Sequence, residues 1–140
     1  MKYYLKLKSD KMTIICANVV IMFDNKILLV KRAKDELEGN LWSLPGGLIE
    51  ENESIREGLN REIIEELNIN LSKDLIFIDY LELFNNNKIV AFYFLQKVDY
   101  LPQFKLKLDE ITEYKWVKPE SIDILAFEQE KIIKKVLSLI

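Results

Sequence analysis

The chain has no histidine among its 140 residues and a single cysteine, Cys16. The first absence removes Ser-His and Cys-His nucleophile machinery and the usual histidine-bearing zinc sites. Chemistry here must come from carboxylates, Lys, Arg, Tyr or a bound ion. One thiol cannot close an internal disulfide, which fits a reducing cytoplasm as the expected location. No run of about 18 apolar residues occurs, so no membrane span is expected. The start, Met1-Lys2-Tyr3-Tyr4-Leu5-Lys6, lacks the apolar core and cleavage site of a secretory signal. Basic surface is in short supply as well. A net charge of -3 argues against non-specific nucleic-acid binding, because phosphate backbones demand cations. A small phosphorylated ligand held through a metal remains compatible with it.

What is present reads as an ordinary globular domain, 49% hydrophobic and 31% charged. At this length a single domain buries roughly 70% of its unfolded surface. Residues 1–12 carry little pattern and are read as an extra strand or a loose start; residues 13–140 form one domain. Thr13–Phe23 is rich in β-branched and aromatic residues and predicts a strand. Asp24-Asn25 turns the chain, and Lys26–Lys31 predicts its return. Arg32–Asn40 is polar and loop-like, and Trp42–Gly47 reads as a tight apolar turn.

A helix is expected from Ser54, because Ser54 and Glu57 fit a capping box. Ile55, Leu59, Ile63 and Leu67 form its apolar stripe, and Asn68 can close it in the left-handed conformation. Strands are expected near Leu75–Phe84 and Ile89–Val98, linked by Asn85–Lys88, and again near Glu113–Val117. Phe127–Ile140 predicts a closing amphipathic helix through Ile132, Ile133, Val136, Leu137 and Ile140. Strands before and after a helix, then a terminal helix, imply an α+β domain: a mixed β-sheet with helices outside.

The chemistry concentrates in the first helix. Glu62 lies one turn from both Glu65 and Glu66, so each pair shares a face. Two negative charges about 4 Å apart repel by roughly 4 kcal/mol at an effective dielectric near 20. Gathering three disfavours the helix unless a cation neutralises them. Hard ions that prefer carboxylate oxygens and accept phosphate, Mg2+ or Mn2+, suit this set. The plain alternative is a solvated acidic face.

A longer pattern separates these readings. Gly47, Glu53, Arg61-Glu62-Ile63, Glu65-Glu66 and Ile69 stand at the spacing of the signature of the Nudix hydrolases, which the chain resembles. Trp42–Gly47 looks like that family's usual lead-in. Asn68 departs from the motif's last glycine, and asparagine is the next best residue for a left-handed position. The resemblance implies an α/β/α sandwich with a catalytic loop-helix-loop and a C-terminal helix.

It also implies roles for particular residues. Glu62, Glu65 and Glu66 would be metal ligands, joined by the Gly46 carbonyl and by Glu110. Arg61 would pair with Glu53 and orient the carboxylates, and Glu62 or Glu65 would take a proton from water. The implied reaction is Mg2+- or Mn2+-dependent hydrolysis of a nucleoside diphosphate linked to another group, releasing a monophosphate. The substrate is a small nucleotide, and a homodimer is compatible with the family. The short build resembles the branch acting on nucleoside triphosphates. That branch often places an asparagine before the last helix to read a purine; here the residues are Leu125-Ala126-Phe127. Two readings compete with this enzyme: a non-catalytic nucleotide sensor, and a hydrolase of nucleotide sugars or dinucleoside polyphosphates.

Lys31 and Arg32 end the second strand near the expected site, where they would contact phosphate. Phe127, Phe84, Tyr80 and Trp42 are candidates for stacking on a base, with core packing as the simpler expectation. Cys16 is expected to be a packed small hydrophobe.

Overall fold

Apolar side chains on both faces of one long strand set the architecture. The computed structural model describes residues 12–139, and Asn85 by its backbone alone. The expectation of an extra strand or loose start therefore falls, apart from Met12, outside the described residues. β1 (Thr13–Phe23) is buried along most of its length, as befits a central strand covered on both sides. It turns through Asp24 and Asn25, with φ of 49° and 60°, into β2 (Lys26–Arg32). Two positive φ values in a two-residue loop match the twist of a hairpin.

Two short strands, β3 (Trp42–Ser43) and β4 (Gly46–Leu48), stand where the sequence suggested only a tight turn. They exist through pairing with distant partners. Ser43 faces Val30 of β2, and Gly46 faces Asn18 of β1. Next comes α1 (Ile55–Leu67), capped as expected. The Glu57 N–H donates to Ser54 Oγ at 3.1 Å and the Ser54 N–H to Glu57 Oε1 at 3.0 Å. Asn68, at φ 60° and ψ 38°, closes it.

β5 (Ile76–Asn85) and β6 (Asn87–Lys97) form a tighter hairpin than Asn85–Lys88 suggested. Pairing runs on to Asn85 and Asn87, leaving Asn86 at φ 65° as the whole link. β7 (Ile111–Val117) starts before Glu113 because Ile111 already pairs with Arg32. α2 (Glu130–Leu139) starts later than Phe127. Phe127 and Glu128 sit at φ 55° and 58°, which no α-helix accommodates.

The strands form one sheet in the order β3-β2-β1-β6-β5, with β4 beside β1 and β7 beside β2. β1 and β6 run parallel and the other pairs antiparallel, so the sheet is mixed. Leu59, Ile63 and Leu67 of α1 pack on one face against Val19, Ile21 and Phe94. Ile132, Ile133 and Val136 of α2 pack on the other against Val20, Met22 and Leu95. The result is the expected α/β/α sandwich.

Three side chains depart from expectation. Leu137 is 39% exposed, so the α2 stripe is narrower than its sequence suggested; Ile140 lies outside the described residues. Phe84 and Tyr80 are 77% and 49% exposed rather than core, because β5 is the outer strand of the sheet. Trp42 is partly buried against the α2-side core, with Lys115 Nζ 4.1 Å above its ring. Cys16 is packed and buried as expected.

Candidate metal and phosphate site

α1 brings its carboxylates together by helical spacing, and β4 crosses directly in front of them. Glu66 is almost fully buried, and its Oε1 accepts the Gly46 N–H at 3.1 Å. Glu62 stands one turn earlier with only 15% of its side chain exposed. Glu110 arrives from far along the chain. The segment before β7 docks on the end of α1, with the Lys105 N–H donating to the Leu67 carbonyl and the Lys107 N–H to that of Glu66. These bonds satisfy carbonyls that a helix end leaves open. One carboxylate oxygen each from Glu62, Glu66 and Glu110 then lies within 4.8 Å of the others.

Two glycines make this approach possible. Gly46 has φ 152°, and a Cβ there would fall 2.1 Å from the Ala17 carbonyl oxygen. A Cβ on Gly47 would fall 2.5 Å from the Glu62 carboxylate. The two positions should respond differently to alanine. Gly46→Ala forces backbone against backbone at a strained φ and is expected to cost about 3 kcal/mol or more. Gly47→Ala pushes only the end of a flexible side chain, so the fold should survive within about 1 kcal/mol. Displacing that carboxylate should still cost about 100-fold in turnover. Denaturation midpoints and rates on both variants check this contrast; equal losses of stability would contradict it.

Arg61 braces the cluster. Its Nε and Nη2 grip Glu53 Oε2 and Oε1 at 3.0 and 2.7 Å, a bidentate pair. Nη2 also donates to the Leu48 carbonyl at 2.9 Å, tying α1 to β4. Nη1 reaches Glu62 Oε1 at 3.2 Å, Glu65 Oε1 at 3.4 Å and Glu50 Oε1 at 3.7 Å. The Arg61 hydrogen bonds hold the Glu53 carboxyl below its ordinary range. Glu65 is 44% exposed and leans on Arg61 rather than joining the Glu62–Glu66–Glu110 trio.

Burial dominates the electrostatics of the trio. It pushes the Glu62 carboxyl up to about 7, with Glu65 and Glu110 adding to the rise and Arg61 opposing it. Burial also raises Glu66 well above the carboxylate range, reinforced by Glu62. Such groups hold their protons in the metal-free fold after the unfolded chain has released them. Below pH 4.5 Glu62 is neutral in both states and costs nothing. As pH rises from 4.5 through about 7, the unfolded chain gains an advantage worth about 3 kcal/mol from this residue alone. Metal-free protein should therefore lose stability over that window, and Glu62→Gln should flatten the loss. Urea midpoints across pH in a chelator test it; a profile unchanged by the substitution would contradict it.

The trio suits a hard dication. Its donors are all carboxylate oxygens, they converge, and a dication would take the place of the protons that burial otherwise keeps on Glu62 and Glu66. Among the described residues it is the group whose carboxylates could jointly hold an ion.

The cluster opens into a cavity of about 390 Å³ between the sheet and the Phe127 turn. Glu62, Glu65, Glu66, Glu110 and Arg61 line its acidic end. Arg32 also lines it, with Nε donating to the Leu37 carbonyl at 2.7 Å and the guanidinium 4.8 Å from the Phe127 ring. Burial lowers the Arg32 pKa from its ordinary value, while Glu36 and Glu66 oppose the shift, and its Nη2 is buried without a partner. Lys31 lies outside the lining and pairs with Glu113 at 3.4 Å. Phe127 lines the cavity, its N–H held by Glu38 Oε2 at 2.9 Å.

Sequence reasoning passed over Glu50, Asn18, Tyr93 and Gln129, which also line the cavity. Alternation along β6 signals Tyr93, which shares a face with Ile89 and Ala91. Nothing local signals Gln129.

The α+β sandwich that holds this arginine-braced carboxylate cleft is a fold that solved structures share. The MutT protein from Methanosarcina mazei Go1 aligns with a TM-score of 0.81 at 25% identity, over 93% of this chain and 96% of that one. The MutT NUDIX hydrolase from Burkholderia pseudomallei aligns with a TM-score of 0.79 at 23% identity, over 89% and 98%. The family model of the NUDIX domain matches residues 12–139, so the chain belongs to the NUDIX family.

Named relatives agree. It is 30% identical to the nucleoside triphosphatase NudI of Escherichia coli O139:H28, over 91% of this chain and 94% of that protein. It is 32% identical to an 8-oxo-dGTP diphosphatase of Buchnera aphidicola from Acyrthosiphon pisum, a match spanning 54% of this chain and 60% of that protein. A second Buchnera 8-oxo-dGTP diphosphatase, from Schizaphis graminum, is matched over 45% of its length. Family and relatives together indicate a hydrolase.

Proposed function

We propose that the chain hydrolyses a phosphoanhydride bond of a nucleoside triphosphate, or of another nucleoside diphosphate derivative, with Mg2+ or Mn2+. The products are a nucleoside monophosphate and pyrophosphate, or a phosphorylated remainder. The observation that carries this reading is the convergence of Glu62, Glu66 and Glu110 at one end of a nucleotide-sized cavity. The names of NudI and the 8-oxo-dGTP diphosphatases support the substrate class.

Glu62, Glu66 and Glu110 would hold the ion, with Glu65 and the Gly46 carbonyl at its margin. A dication held there supplies charge neutralisation for the anhydride and a lower pKa for the attacking water. Water adds its oxygen to phosphorus as the bridging P–O bond breaks and the leaving phosphate takes the electron pair. Glu62 or Glu65 accepts the proton. Glu53 acts through Arg61, which keeps the Glu62 and Glu65 carboxylates from turning away. Arg32, a buried cation with an unused N–H, meets a phosphate oxygen, and Phe127 offers its ring to the base. Lys31 contributes charge from the rim rather than contact. A single buried thiol suits a reducing cytoplasm, and no helix among the described residues is long and apolar enough to cross a membrane. The proposal extends to free nucleotides as substrates, in a monomer or a homodimer.

The test is a nucleotide panel assayed for phosphate and pyrophosphate with Mg2+ or Mn2+. Metal-dependent release of pyrophosphate with a monophosphate supports the reading. Binding without turnover at any metal concentration would favour the nucleotide-sensing alternative.

A further inference from the structure

Between Ile14 and Phe23, β1 is apolar except at Asn18. Asparagine is disfavoured in strands, and a buried amide must find partners to offset its desolvation. Cys16 and Val20, two residues to either side, both belong to the α2-side core, so alternation turns Asn18 to that face. The residue is only 8% exposed, and it lines the cavity. Among the described residues its amide meets no hydrogen-bond partner. Unlike the Tyr93 hydroxyl, which is sealed off, this amide keeps some open surface, and the cavity is where it opens.

Strand pairing explains the opening. Asn18 stands between Gly46 of β4 and Tyr93 of β6. Gly46 has no side chain to lie over the amide, and a Cβ there would fall 2.5 Å from Asn18 Oδ1. The same glycine gives its N–H to Glu66. One strand spacing, about 5 Å, therefore separates Asn18 from the residue that touches the carboxylate trio. The floor beside Asn18 is apolar, formed by Cys16, Ile89 and Ala91. A nucleotide with its phosphates at the trio and its base on that floor sets its sugar beside Asn18.

We propose that Asn18 recognises a hydroxyl of the nucleotide's sugar, so that the ribose 2′- or 3′-hydroxyl takes part in substrate selection. This rests on the cavity being the nucleotide site. Ionised phosphate oxygens only accept hydrogen bonds, and Oδ1, turned to the Gly46 side, has none to give them. A sugar hydroxyl both donates and accepts, so it pairs with Oδ1 or with Nδ2. An amide without a protein partner is left buried and unpaired when the substrate lacks that hydroxyl. The analogue should be disfavoured by about 10-fold.

The experiment compares kcat/KM for GTP with its 2′-deoxy and 3′-deoxy analogues, and for ATP with the same analogues, in wild type, Asn18→Ala and Asn18→Val. A second arm records the shift in melting temperature given by GMP, AMP and their deoxy forms with Mg2+, since a monophosphate has no anhydride to cleave. Removing one of the two hydroxyls should lower wild-type kcat/KM by about 10-fold, mainly through KM, and the matching monophosphate should stabilise less. Both variants should treat the intact and deoxy forms within about twofold of each other. A wild type indifferent to both hydroxyls would overturn the proposal, as would a preference that survives in both variants. So would a loss in the variants that is equal for every sugar, which would place Asn18 with the metal or the phosphates. If no triphosphate is hydrolysed while the monophosphates keep the predicted order, the reaction proposed above fails and the sugar recognition stands.

Discussion

Glutamine in place of Glu66 is expected to make the metal-free protein more stable while lowering turnover by about 1,000-fold or more. Glu66 is buried, and burial together with Glu62 opposes its ionisation. A neutral amide removes that opposition and can still accept the Gly46 N–H that Oε1 now takes. The gain should be about 1–3 kcal/mol at pH 8, where the native carboxylate is under most pressure to ionise. The loss follows from the same change, because an amide oxygen brings no charge to a dication. Stabilisation by Mg2+ should shrink in parallel, since a ligand stabilises the fold only through its affinity for the folded state. Urea midpoints with and without Mg2+, beside rates on one nucleotide, test all three effects. A variant less stable than wild type without metal, or one that turns over within about threefold of it, would contradict the assignment.

Alanine in place of Arg61 should damage both stability and activity. The guanidinium joins Glu53, Glu62, Glu65 and the Leu48 carbonyl, so its removal leaves several acceptors facing one another. Breaking a fully buried pair costs about 3–5 kcal/mol. The Arg61 side chain is 26% exposed, so about 2 kcal/mol is the expected loss. Turnover should fall by about 100-fold or more because Glu62 and Glu65 lose their orientation. Lysine should not rescue it, since a point charge cannot reproduce the two-pronged grip on Glu53. Glu53→Ala should cost nearly as much alone, and the double variant little more than either. Additive losses in that cycle would show the two residues acting independently.

How much of this was legible in the sequence follows from how local each feature is. The α1 boundaries were readable because the Ser54–Glu57 box and Asn68 act within a few residues. β1, β2, β5 and β6 were readable because each is a run of seven or more residues rich in β-branched, aromatic or other apolar side chains, set off by the Asp24-Asn25 and Asn85–Lys88 turns. β3 and β4 were not, since two or three residues become strands only by pairing with β1 and β2. The start of α2 was missed because Phe127 looks helix-compatible until Glu38, 89 positions away, fixes its N–H.

The site divides the same way. The carboxylates of α1 are grouped by helical spacing, which a sequence displays. Glu110 was separable from Asp109 and Glu113 only by family likeness; the structure places Glu110 in the trio and turns Glu113 to Lys31. Arg32 and Lys31 looked alike as a basic pair, yet one lines the cavity and the other does not. Tyr93 and Gln129 meet through the packing of β6 against the turn before α2, which no short window of sequence contains.

The most direct measurement is an anomalous difference map from a crystal equilibrated with Mn2+. A peak bridging the carboxylates of Glu62, Glu66 and Glu110, absent from a Glu66→Gln crystal, is the expected result. Fully formed crystals with no peak there, or with Mn2+ bound elsewhere while the enzyme turns over, would contradict the assignment of this cluster as the metal site.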